Sequence, residues 1–138
     1  MKYLIHICIT LLVVLSCNKN DVQKSNLLIG KWQLTKIETE QVAHAGTDKT
    51  TIPIENTFYQ FSKEGTVKYF SKDGSVKEYV YSYNAEDNTL TIGSTISSVK
   101  EFTKTSLIFY TTTQFLDGTA SSPAAGTTYH YSYLTKIE

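Results

Sequence analysis

FSKEGTVKYFSKDGSV, residues 61–76, nearly repeats itself. Phe61-Ser62-Lys63-Glu64-Gly65-Thr66-Val67 is echoed nine positions later by Phe70-Ser71-Lys72-Asp73-Gly74-Ser75-Val76. Each half has the make-up of a three-residue hairpin loop, a type I turn followed by a residue at positive φ, which glycine adopts without steric cost. The expected register pairs Ser62 with Thr66 and Ser71 with Ser75, so Phe61 faces Val67 and Phe70 faces Val76. Side chains alternate faces along a strand, and the spacing of the echo is odd. The two Phe–Val pairs must then lie on opposite faces of one meander. The same register gathers Tyr59, Phe61, Val67, Tyr69, Tyr79, Tyr81 and Tyr83 on one face. Gln60, Lys68, Glu78 and Ser82 fall on the other, with Lys68 across from Glu78. The aromatic face reads as the interior. Lys77 is its one charge and stands beside a turn, within reach of water.

The pattern continues outward from this stretch. Past Gly30 the chain is rich in Tyr, Thr, Ile, Val and Phe, broken by turn residues at the spacing of an all-β sandwich or barrel. Eight strands are expected, at 31–38, 56–62, 66–71, 75–83, 89–93, 96–103, 106–115 and 127–137, and no segment carries a helical period. Sequential strands with short connections pair as neighbours. The expected fold is therefore an eight-stranded up-and-down antiparallel barrel. Its turns at 63–65, 85–88 and 104–105 lie at one end. Those at 72–74 and 94–95 lie at the other, together with two long loops, 39–55 and 116–126. The result is a cup, closed at one end and open at the other. The long segment 41–55 is a candidate lid.

The chain is 138 residues, enough for one domain. It opens with Lys2, an apolar run from Tyr3 to Leu15, and Ser16-Cys17. That run is shorter than the roughly 20 residues a spanning helix needs and reads as a removable signal segment, residues 1–16. Val14-Leu15-Ser16-Cys17 resembles the bacterial lipobox, in which the cysteine takes a diacylglycerol and becomes an acylated N-terminus. Each buried CH₂ adds about 0.8 kcal/mol, so two or three acyl chains anchor stably. Residues 17–27 are read as a polar, lipid-anchored tether without regular structure, and 28–138 as the barrel domain. The second cysteine, Cys8, leaves with the signal, so neither a disulfide nor a thiolate metal site is expected.

Leu28-Ile29-Gly30-Lys31-Trp32-Gln33-Leu34 places a Gly-x-Trp at the start of the first strand. Together with the lipobox, the polar tether and the phenylalanine strand running into Gly65-Thr66-Val67, this resembles the small bacterial lipocalin-like lipoproteins over roughly residues 27–138. The resemblance implies a calyx whose closed end is plugged by Trp32, with Gly30 at its entrance and a basic residue of the last strand, Lys136, packed over the indole. It also implies an open end that admits a small apolar ligand, and a lipid-anchored protein in the Gram-negative envelope, at the outer membrane.

The remaining chemistry is sparse. Without Lys2 there are 12 lysines against 13 acids and no arginine. That balance excludes a nucleic-acid surface, where arginine and basic patches dominate. His44 and His130 share neither a strand nor a metal spacing. No serine sits in a Gly-x-Ser-x-Gly elbow, and Glu78 and Glu101 are read as facing outward. No catalytic residue, metal or cofactor is expected. Of the ten tyrosines, nine remain past the signal segment, and they are the main signal. Inward tyrosines either fill a small barrel or line a pocket with hydroxyl handles. The expectation is a mostly filled core with a shallow cavity near the mouth, its candidate ligand contacts being Tyr69, Lys77, Tyr79 and Tyr129, with Tyr110 and Phe115 of undecided facing. Alternation then puts His130 on the outer wall. Two functions follow: a monomeric, membrane-tethered cup for a small apolar or amphiphilic molecule, or a filled barrel that binds protein or glycan through its mouth loops.

Overall fold

The computed structural model describes residues 19–117 and 124–138. The expected signal segment and Cys17 lie outside the described residues, as does most of the loop expected at 116–126. Among the described residues one helix, α1 (Lys19–Leu28), precedes nine strands: β1 (Gly30–Ala43), β2 (Gly46–Pro53), β3 (Phe58–Phe61), β4 (Thr66–Phe70), β5 (Val76–Asn84), β6 (Thr89–Ile92), β7 (Thr95–Phe102), β8 (Ser106–Asp117) and β9 (Ala124–Lys136).

All pairings are antiparallel, and β1 joins β9 to close the ring. The ring holds β1 and β3 through β9. The ninth strand, β2, shares an edge of β1 with β3: β3 pairs with Gly30 to Gln33 and β2 with Lys36 to Ala43. The segment 39–55 is thus a hairpin, not the long loop expected. Every position of β2 is exposed. Alternation in a sequence records one buried face; a strand that buries neither face leaves no such record.

The repeated turns adopt the expected register. Phe61 pairs with Val67 and Phe70 with Val76, while Lys68 stands across from Glu78. Gly65 and Gly74 take φ of 81° and 84°, the left-handed conformation that glycine occupies at least cost. Phe61 is 2 % exposed and Val67 fully buried, whereas Val76 is 54 % exposed. The look-alike pairs lie on opposite sides of the wall.

The core fills the closed end. Trp32, Leu34, Phe61, Val67, Tyr83, Leu90, Leu107 and Leu134 form one buried cluster. Fully burying side chains of this kind contributes about 1.5–3 kcal/mol each. Phe61 meets Tyr81 edge-on at 4.9 Å. The lower tyrosines also brace this end: the Tyr81 hydroxyl donates to the Ser62 carbonyl at 2.8 Å and that of Tyr83 to Asn88 Oδ1 at 2.7 Å.

The polar segment read as a tether is α1, and its last turn plugs the barrel. Leu28 is fully buried and belongs to the core cluster. A helix C-terminus leaves carbonyls without intrahelical partners. Here barrel side chains supply the donors. Trp32 Nε1 donates to the Leu28 carbonyl at 2.7 Å. Lys136 Nζ donates to the carbonyls of Leu27 at 2.9 Å and Ile29 at 2.6 Å, and stands 5.3 Å from the Trp32 ring centre. Burial lowers the Lys136 pKa below its ordinary value. Gly30, at φ 125°, lets the chain's last residues pass: a Cβ there would collide with the Glu138 carbonyl.

The outer wall differs from the sequence reading. Leu134 of β9 is in the core, so Ser132, His130 and Thr128 share its inward face, and Tyr129, Tyr131 and Tyr133 face out with Tyr110 of β8. The four rings form a contiguous patch, with centroids 5.2–6.5 Å apart. Beside it Glu38, 6 % exposed, accepts from Lys49 Nζ at 2.9 Å and from the Tyr133 hydroxyl at 3.1 Å, with Lys36 Nζ at 3.5 Å. The Lys49 hydrogen bond holds the Glu38 carboxyl below its ordinary pKa, and the same bond raises that of Lys49.

Candidate functional site

Above the filled core the barrel opens into a cavity of about 440 Å³. Its walls are Tyr59 of β3, Tyr69 of β4, Tyr79 of β5, Ile92 of β6 and Phe109 of β8. The turn Gly93-Ser94 with Thr95, and Ser97 from β7, complete the lining. Short alternating strands place these side chains: Tyr59 pairs with Tyr69, and Tyr79 lies two positions from Lys77, Tyr69's partner on β5. Tyr59 sits 5.0 Å from Tyr69 between ring centres and meets Phe109 edge-on at 6.4 Å. Tyr79 leans over the β6–β7 turn, so that a Cβ on Gly93 would lie 3.2 Å from its ring. Gly93 itself takes φ 59°.

The lining has no charged side chain. Burial, reinforced by the neighbouring Tyr69 and Tyr79 phenols, pushes the Tyr59 pKa up to about 12. Tyr59 is thus a neutral hydroxyl at any physiological pH. Unlike Tyr81 and Tyr83, whose hydroxyls brace the closed end, Tyr59, Tyr69 and Tyr79 have no hydroxyl partner among the described residues. No buried polar side-chain atom among those residues lacks a partner. The three free hydroxyls therefore reach open space.

Of the residues singled out from sequence, Tyr69 and Tyr79 line this cavity. Lys77 pairs with Tyr69 on the inward face but is exposed at the rim and is not part of the lining. Tyr129 is a correction: it lies on the outer wall, stacked on Tyr131 at 6.0 Å, and Tyr110 lies beside it. His130 is the matching correction, turned to the inner face, with Nδ1 3.4 Å from Thr39 Oγ1. Alternation holds along this strand, but aromaticity points to the wrong phase. Leu134 and Lys136, which belong with Trp32, set the opposite phase. Phe115 lies elsewhere, packed over Gly126 and lining a polar hollow of about 410 Å³ at the β1–β2 hairpin with Gln41 and Asp48. No residue of 41–55 lines the tyrosine cavity, so the hairpin is not its lid.

Sequence reasoning did not single out Gly93, Ser97 or Phe109. The signal for Phe109 was available in its alternation with Leu107. Gly93 and Ser97 carry none, because their role depends on which strands the ring brings together. Among the described residues no group of three or more His, Cys, Asp or Glu side chains could hold a metal ion.

No match is found among curated proteins. A crystal structure of a lipocalin-like protein from Bacteroides uniformis is similar at 17 % identity and a TM-score of 0.44, covering 80 % of this chain and 99 % of that one. The model of the lipocalin-like domain matches residues 10–122, the greater part of the chain, and the protein therefore belongs to the lipocalin-like domain family.

Proposed function

We propose that the protein is a membrane-anchored binding lipoprotein that holds a small apolar or amphiphilic molecule in the tyrosine-lined cavity. The carrying observation is the cavity itself: about 440 Å³, aromatic on its walls, with a few hydroxyls converging within it. Small-molecule sites run to about 300–1,000 Å³ and combine apolar walls with a small number of polar groups. The lipocalin-like family supports a binding role over a catalytic one. The anchor rests on the lipobox-like Val14-Leu15-Ser16-Cys17, which puts the acylated cysteine shortly before α1. Outer-membrane placement in a Gram-negative envelope is part of the same proposal.

The test is native mass spectrometry of the full chain extracted in mild detergent from its own membranes. A small-molecule adduct is expected, and Tyr79→Trp, which fills the cavity beside Gly93, is expected to abolish it. A chain that carries no adduct in repeated preparations overturns the reading.

A further inference from the structure

The inward tyrosines fall into two sets. Tyr81 and Tyr83 donate their hydroxyls to the barrel. Tyr59, Tyr69 and Tyr79 do not, although their phenols stand close enough to influence one another. A hydroxyl that reaches a cavity without a protein partner is a donor free for whatever occupies it.

The lining also limits charge. It contains no cation, and Lys77, the nearest lysine in register, stands exposed at the rim. Moving a carboxylate out of water without a counter-ion is strongly unfavourable, whereas a neutral acceptor that gains hydrogen bonds recovers its desolvation. The walls are ring faces and edges of Tyr59, Tyr69 and Phe109 set at steep mutual angles, a geometry that complements a flat ring.

From these features we infer that the occupant is an uncharged ring compound bearing a carbonyl-type acceptor, which the hydroxyls of Tyr59, Tyr69 and Tyr79 bind, and not a fatty carboxylate. The inference rests on the cavity being a binding site. It assigns these three tyrosines the task of selecting the ligand's polar group, and Phe109 that of packing its ring.

Three probes of one skeleton separate the terms: 9-fluorenone, fluorene and fluorene-9-carboxylate. Each is equilibrated by dialysis with the full chain in lipid nanodiscs, and binding is counted above that of empty nanodiscs. Fluorenone is expected to bind about tenfold more tightly than either of the others, the scale of one or two well-made hydrogen bonds. The Tyr59→Phe, Tyr69→Phe double variant is expected to bring fluorenone down to the level of fluorene, and fluorene still binding to that variant reports that the cavity is intact. Equal binding of fluorenone and fluorene by the unaltered protein overturns the assignment of the hydroxyls. Preference for the carboxylate overturns the neutrality of the site. In both cases the cavity still binds and the broader reading survives. Failure of all three probes overturns that reading together with the inference.

Discussion

Phe61 and Phe70 open two nearly identical heptapeptides, yet they differ in what they stabilise. Phe61 and Val67 pack with Trp32 at the closed end, while Val76 is more than half exposed. Large-to-small changes in a packed core cost both transfer energy and a cavity, and exposed ones little. Phe61→Ala is expected to lower unfolding stability by about 3–5 kcal/mol, and Val76→Ala by no more than about 0.5 kcal/mol. Urea titration of the two variants checks the contrast; equal losses would mean that the register is wrong. Glu38 offers a second test. Its carboxyl is held below the ordinary value of 4.5. A depressed carboxylate contributes stability that is present above the unfolded pKa and lost as pH falls through the folded one. Melting temperature is therefore expected to fall on acidification below 4.5, and Glu38→Gln to show a shallower fall. Lys49, raised above 10.5, contributes in the opposite window: its part is present below 10.5 and is lost at higher pH. The first pair was legible because an odd repeat fixes faces. The Glu38 site was not, since Lys49 reaches it from a strand the sequence did not reveal.

At the scale of elements, α1 and β2 are the two departures from the sequence reading, and they share a cause. Periodicity reports a face that is buried along its length. β2 buries no position, and of the residues in α1 whose burial is described, Leu28 alone is fully buried. Isolated helices this short are marginal, and tertiary contacts stabilise them. Here the contacts are the Leu28 side chain and the donors that Trp32 and Lys136 present to carbonyls at the helix end. Leu28→Ala is accordingly expected to cost about 2–5 kcal/mol, as a core substitution does. Measured by denaturant unfolding, a loss below about 0.5 kcal/mol would show that α1 is not part of the folded unit. The basic residue over the tryptophan was anticipated; its bonds to the helix were not, because no helix was expected there.

At the scale of the whole molecule, the ring sorts short strands β3 to β7 from the longer β1, β8 and β9, and the cavity opens where the short strands end at the β6–β7 turn. The anchor is a separate question with a separate test. Cys17→Ser is expected to move the protein from the membrane fraction to the soluble one after cell lysis, and retention in the membrane would refute lipidation as the anchor. Local chemistry in the sequence determined the antiparallel meander, the two glycine turns and the buried Phe61–Val67 pair, since each depends on neighbours a few residues away or on strict alternation; the Trp32 plug was implied by the family resemblance alone. Tertiary structure alone decided which face of β9 turns inward, that residues 46–53 form a strand, that the segment before Leu28 is a helix, and that Gly93, Ser97 and Phe109 meet Tyr59, Tyr69 and Tyr79 around one cavity. β2 and the helix bury too little of their length to leave a period, whereas the facing of β9 and the meeting of these residues depend on ring closure between β1 and β9. No local pattern carries that constraint.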